Sequence, residues 1–502
     1  MSTIFKRFAA GLLVLVMALS VAACKNNKET DAEKVMNTQA VRVGNHTLSA
    51  AILNYFYVDA ISDWVAQYGG LALNMGLDVT KPLNQQVINS ATGETWADSF
   101  VTVAQENIQS TYALYDLAMA ENFTLSQSEQ AALDATVEEL EAVIEYYKEY
   151  YASAGYTYPY AGVTEYLEVA YGVGATPENY MEYCRVRAIA DAYYKHYVDS
   201  LEYTTKELRE YESDKYVRYC SYSFTVYYLP VSSFDSVDDA EAAARALASV
   251  RYADKVAFDE AIKALSINAD VENPALSESY ENVLYGQIAD DYVEWLAEEG
   301  RLAGDMGVAV REIPDGEGTV VKGYYVVRFD GMTDNKFLMK NVRHILVAFQ
   351  GGTTNSSTGV TTYSDEEKNA ARKKAEQWLF QFRTGSMTEL RFADMANAYS
   401  DDGNGTTGGL YADLYPGLVE PEVEAWSYDP ARNVGDTGLV EAKDGWYIMY
   451  FVGNTTYTFR EYMLTNDKKV EDVSAWYDAL VKSTKVEILD TTYVDKDMVL
   501  SK

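Results

Sequence analysis

Val342-Arg343-His344-Ile345-Leu346-Val347 opens the stretch on which the reading of this chain turns. The six residues alternate as a strand does. A charged segment rich in Lys and Ala follows from about Ser364 to Arg383 and reads as a helix, then a shorter one from Phe392 to Tyr399 and a turn, Ser400-Asp401-Asp402. Beyond these lie Gly408-Gly409-Leu410, then Gly417-Leu418-Val419-Glu420-Pro421-Glu422-Val423-Glu424, and a closing strand pattern, Gly445-Trp446-Tyr447-Ile448-Met449.

That order resembles the parvulin family of peptidyl-prolyl cis/trans isomerases. The family pattern runs His-Ile-Leu-Val, a Ser-(Asp/Glu)-Asp turn, Gly-Gly-x-Leu-Gly, Gly-x-Met-Val-x-x-Phe-Glu and Gly-Tyr-His-Ile-Ile. The resemblance implies a proline slot above two histidines and an Asp or Cys. It places His344 at the first histidine, Asp402 at the acidic position and Leu410 in the slot wall. Val419 and Val423 take the usual Met and Phe places, and Tyr447 stands where the second histidine belongs. Two valines shorten two walls, at a loss of about 1–3 kcal/mol of contact with a proline ring. Tyr447 offers one hydroxyl and cannot reproduce an imidazole pair sharing a proton. His344 can also be read as a core histidine that orients strands, and Asp401-Asp402 as turn and cap residues.

No nucleophile, metal or cofactor is needed for this chemistry. An amide resists rotation by about 18–20 kcal/mol, and an X-Pro bond exchanges over tens to hundreds of seconds. A catalyst must favour the twisted amide over the planar one. The three histidines, His46, His196 and His344, are too dispersed to suggest a zinc site. Cys184 and Cys220 form no disulfide framework and read as small core residues, although a single bridge is open to them.

The N-terminus speaks to compartment. Lys6 and Arg7 precede an uncharged run from Phe8 to Ala23 that ends in Val21-Ala22-Ala23-Cys24. A basic start, an apolar core and small residues before a cut describe a secretory signal. The ending resembles the bacterial lipobox, which implies lipid on Cys24, a membrane anchor and an extracytoplasmic address. An ordinary signal with a chance cysteine is the plainer reading. The 76 acidic against 41 basic residues give a formal charge of −35. Such a surface repels nucleic acid and anionic headgroups, while 48% apolar residues can fill large cores.

The chain divides into a signal (1–24), a flexible linker (25–38), a helical part (39–213), a middle domain (215–332), the parvulin-like domain (336–454) and a C-terminal segment (455–502). The helical part resembles the chaperone region of SurA- and PrsA-type foldases. In such foldases the C-terminal segment packs back on the helices. Within the helical part, Trp96 to Glu121 and Gln130 to Tyr151 read as single long helices, the second opened by a Ser126/Glu129 capping box. The middle domain reads as a degenerate copy of the next one. Gly304-Asp305-Met306-Gly307 leads to Gly323-Tyr324-Tyr325, as Gly435-Asp436-Thr437-Gly438 leads to Gly445-Trp446-Tyr447. It contains no histidine, and so reads as a binding or spacer unit. The fold class is α+β: helices first, then two α/β domains, each an antiparallel sheet with surrounding helices.

The function this implies is an extracytoplasmic isomerase that binds unfolded or partly folded secreted polypeptides at X-Pro segments. Two alternatives stand beside it: a chaperone on an inactive isomerase scaffold, and a surface lipoprotein with one specific partner. The 43 tyrosines bunch at Tyr146-Tyr147, Tyr150-Tyr151, Tyr156-Tyr158-Tyr160 and Tyr193-Tyr194. They suit either client recognition or helix interfaces.

Overall fold

The computed structural model describes residues 28–269, 271–314, 318–403 and 407–500. The signal and Cys24 lie outside the described residues. Two compact units divide the chain, residues 1–202 with 469–502, and residues 203–468. The whole is mixed helix and antiparallel sheet.

The first unit begins with α1 (Lys28–Asn37), then β1 (Gln39–Val43), β2 (His46–Ser49) and α2 (Ala50–Tyr68). The flexible linker expected over 25–38 is thus helical from Lys28. Its Val35 is buried, and a Cβ on Gly174 would stand 3.1 Å from the Val35 Cβ, so the helix is packed in place. A hairpin, β3 (Val87–Asn89) and β4 (Glu94–Thr95), leads into α3 (Trp96–Ala120). The helix expected from Gln130 to Tyr151 is two, α4 (Gln127–Asp134) and α5 (Thr136–Ser153). At the break the Thr136 hydroxyl donates to the Ala132 carbonyl at 3.2 Å, a side-chain bond that competes with the helical ladder. Then come α6 (Val163–Tyr171) and α7 (Pro177–Ser200). Tyrosines fill much of this core. Tyr55 stacks on Tyr183 at 5.0 Å and meets Tyr171 edge-on at 4.7 Å, whereas Tyr146, Tyr150 and Tyr156 are exposed.

The second unit runs α8 (Thr205–Glu212), β5 (Ser221–Pro230), α9 (Val237–Ala248), α10 (Lys255–Lys263), β6 (Glu278–Leu284), α11 (Asp290–Leu296), β7 (Met306–Pro314) and β8 (Thr319–Thr333). It continues with β9 (Leu338–Ala348), a small hairpin of β10 (Thr353–Thr354) and β11 (Thr361–Thr362), α12 (Asp365–Arg383), α13 (Glu389–Tyr399), β12 (Leu410–Leu414), α14 (Pro421–Ser427), β13 (Thr437–Glu441) and β14 (Gly445–Thr458). Its two four-stranded sheets are ordered β6-β5-β8-β7 and β12-β9-β14-β13. Apart from α8 and the β10–β11 hairpin, the helices and strands follow in the same order.

The likeness extends to a clasp at one end of each sheet. Trp295 ends α11, and Arg301 lies over its ring at 3.6 Å while donating to its carbonyl at 2.5 Å. Trp426 in α14 and Arg432 repeat this at 4.1 and 3.2 Å. Three residues after each arginine, Gly304 donates to Phe329 O at 2.7 Å and Gly435 to Phe451 O at 2.9 Å. Each tryptophan fills the space where a Cβ on Gly307 or Gly438 would project.

Last come α15 (Phe459–Ser483) and β15 (Val486–Ile488). Near the start of α15, the buried Arg460 donates to the carbonyls of Tyr216, Tyr219 and Asp334 at 2.9–3.2 Å. In the first unit β15 pairs with β1, placing Ile488 opposite Val41, and Val494 and Met498 join that unit's core.

Candidate active site

β9 is a central strand, and its alternation sorts side chains between two faces. Ile345 and Val347 turn to the layer of α12 and α13, with Leu379, Phe382, Phe392 and Met395. Val342 and Leu346 turn to the other face, with Leu414, Val423, Val440, Tyr447 and Met449. His344 lies between them on that second face, fully buried.

The turn after α13 is laced to β9. Leu346 N donates to Ser400 Oγ at 2.9 Å, Asp401 N to Leu346 O at 2.9 Å, and Ala348 N to Asp401 Oδ2 at 3.1 Å. The lacing brings Asp402 Oδ2 into hydrogen-bonding contact with His344 Nε2. Asp401 serves the turn and Asp402 the histidine. His344 Nδ1 has no hydrogen-bond partner among the described residues.

The double glycine explains how the next strand comes so close. Gly408 and Gly409 both take φ +64, and a Cβ on Gly409 would overlap the His344 carbonyl. With that room, His344 N donates to Gly409 O at 2.9 Å. Leu410 then pairs opposite Arg343, and Tyr411 opposite Val342. Leu410 therefore falls on the Arg343 face and not in the slot wall. Tyr411 is the residue on the His344 face, its ring stacked on His344 at 4.3 Å and 12°.

Tyr447 lies on the same face with its ring 5.6 Å from His344. Its hydroxyl donates to Asp444 Oδ2 at 3.1 Å. Burial, then the charge of Asp444, raises the Tyr447 phenol well above its ordinary value. Tyr411 is raised by burial, with Asp402, Asp444 and Glu420 adding to it. Glu420 pairs with Lys443 at 2.8 Å. Val419 is half-buried against this face. Val423 is fully buried and belongs to the core beneath the site.

The structure thus gathers His344, Asp402 and Tyr447, sets Val419 and Val423 beside and below them, and excludes Leu410. Tyr411 and Asp444 were missed. Tyr411 carried a faint signal, being one residue past the double glycine. Asp444 carried none, because its role depends on the β13–β14 turn. Chemically, the face offers a buried imidazole–carboxylate pair under two phenols on an apolar floor. Among the described residues, no group of three His, Cys, Asp or Glu side chains could hold a metal ion.

In the other sheet, Phe329 pairs with Phe224 as Phe451 pairs with Val342. Two residues further on, Val226 stands where His344 does. Tyr325, four residues before Phe329, matches Tyr447, four before Phe451.

Residues 344–453 match the Rotamase family model, described as a PPIC-type PPIASE domain. This stretch is therefore a parvulin-type peptidyl-prolyl isomerase domain. Among solved structures, PrsA from Bacillus subtilis is 11% identical over 81% of this chain and 92% of its own, with a TM-score of 0.29. The peptidylprolyl isomerase PrsA from Bacillus anthracis is 17% identical over 30% of this chain and 59% of its own, with a TM-score of 0.18. The peptidyl-prolyl isomerase ESS1 from Candida albicans is 22% identical over 23% and 63%, with a TM-score of 0.17. This chain covers less than two thirds of the last two. At such scores the superpositions carry no argument about it. No curated protein matches the chain.

Proposed function

We propose that this chain is an extracytoplasmic folding factor: a parvulin-type isomerase for X-Pro bonds of secreted or surface polypeptides, anchored by lipid on Cys24. In this reading the helical unit holds the client. The observation that carries the reading is the fully buried His344, hydrogen-bonded to the part-buried Asp402 beside Tyr411 and Tyr447. Met449 and Val423 supply an apolar floor. A proline ring seated there would bring its amide to the phenols in a dry, low-dielectric site, where hydrogen bonds to a twisted amide gain strength. Tyr447, its single hydroxyl proton held by Asp444, stands at the second histidine's place as an acceptor, which leaves the Tyr411 hydroxyl as the donor.

A second reading drops catalysis and keeps binding. It is favoured by the complete burial of both His344 and Val423, which leaves little depth for a ring. The test is refolding of a client limited by proline isomerisation, with the chain from Lys25 onward and with Asp402→Asn. Acceleration by the parent and not by the variant supports the isomerase. Suppression of client aggregation by both, with no acceleration, supports the inactive chaperone. A surface lipoprotein with one partner would do neither.

A further inference from the structure

The first unit carries an exposed apolar surface of zero formal net charge. In a chain of net charge −35, the stretches 64–77 and 82–93 contain no charged residue at all. Between them Asp78 and Lys81 pair at 2.8 Å, so the whole of 64–93 is neutral. The two stretches are one surface. Gln86 binds them, accepting from Asp78 N at 2.8 Å and donating to the carbonyls of Asp78 and Lys81 at 3.0 Å. Trp96 donates to Gly76 O at 3.1 Å.

What this surface presents is apolar. Leu71, Leu73 and Met75 project from a 3-10 segment and are 56%, 75% and 45% exposed. Val87 and Ile88 project from the β3–β4 hairpin at 57% and 42%. Within and beside these stretches Trp64 meets Trp96 edge-on at 5.1 Å and Tyr68 in a tilted contact at 5.6 Å.

We infer that this surface seats the helical unit on a lipid bilayer, dipping Leu71, Leu73, Met75, Val87 and Ile88 below the headgroups. Three properties favour a bilayer over a polypeptide. Five large apolar side chains are 42–75% exposed on two hydrogen-bonded segments, an apolar surface larger than scattered single residues make. Trp64, Tyr68 and Trp96 cluster in and beside the same neutral stretch, and Trp and Tyr are the side chains enriched at membrane interfaces. The acidic remainder of the chain repels anionic headgroups, so only a neutral face can make the contact. The inference is independent of isomerase chemistry. It also makes a lipid on Cys24 one of two membrane signals.

The test is flotation of the unlipidated chain from Lys25, which keeps every described residue, with dioleoylphosphatidylcholine vesicles. The parent should float, and Leu73→Glu and Val87→Glu should each lower partitioning about tenfold, the factor for withdrawing one large aliphatic side chain. Adding phosphatidylglycerol should weaken binding. Both positions are exposed, so melting curves should match the parent. The proposal is overturned if the parent stays with the buffer, if the variants float equally well, or if anionic lipid strengthens binding. It is equally overturned if the variants leave flotation unchanged and instead lose suppression of client aggregation, since the surface would then be a polypeptide site.

Discussion

At the scale of single residues, Tyr447 is one of the positions where this chain departs from the parvulin pattern. Restoring the histidine of the parvulin pattern, Tyr447→His, should raise the rate of proline-limited refolding, and an unchanged or lower rate would show that Tyr447 is not a weakened stand-in. Tyr447→Phe removes the bond to Asp444 and should cost about 0.5–1.5 kcal/mol in urea unfolding. His344 and Asp402 were legible because each sits inside a short ordered motif. Leu410 was misplaced for a local reason. Two consecutive glycines at φ +64 set the register of β12, and a one-residue difference sends every side chain to the opposite face. Val423 was read as an open wall and is core, because α14 lays it flat on the sheet.

At the scale of elements, the Trp–Arg–Gly clasp is the recurring device. Gly307→Ala and Gly438→Ala would each push a methyl into a tryptophan ring. Each should lower unfolding stability by about 1–3 kcal/mol, with Trp fluorescence reporting the displaced ring; a variant as stable as the parent would show that the clasp yields. The Gly-Asp-x-Gly repeat was visible in the sequence, whereas the arginine and tryptophan were not. They lie further back across variable loops, and only the fold brings them over one another. Helix α1 was missed because its polar composition offers no apolar period. The packing of Val35 against Gly174 holds it, and that contact spans much of the first unit's sequence.

At the scale of the whole molecule, tyrosine sets the response to alkali. Burial raises Tyr55, Tyr57, Tyr112, Tyr166 and Tyr222 above the ordinary 10.0. An acid whose folded pKa is raised contributes stability that is fully present below its unfolded value and is lost as pH climbs through the folded one. From about pH 10 upward, therefore, the unfolded chain gains by ionising phenols that the folded chain must keep neutral. Tyrosinate absorbance should rise in a cooperative step that coincides with loss of helical circular dichroism. A gradual rise with helicity intact would mean that these rings reach solvent without unfolding.

Two sheets of identical strand order in one chain also set the folding process a problem of self-recognition. Either central hairpin is a plausible partner for the other's edge, and tandem repeats characteristically fail by such exchange. The molecule separates the two by length. Strand β7 has nine residues and β13 has five, so in crossed pairing the longer strand would overrun the place of the shorter one and exchange ladder bonds for water. The ragged lengths of otherwise matching hairpins thus act as a proofreading mark, telling the chain which half of itself it has met.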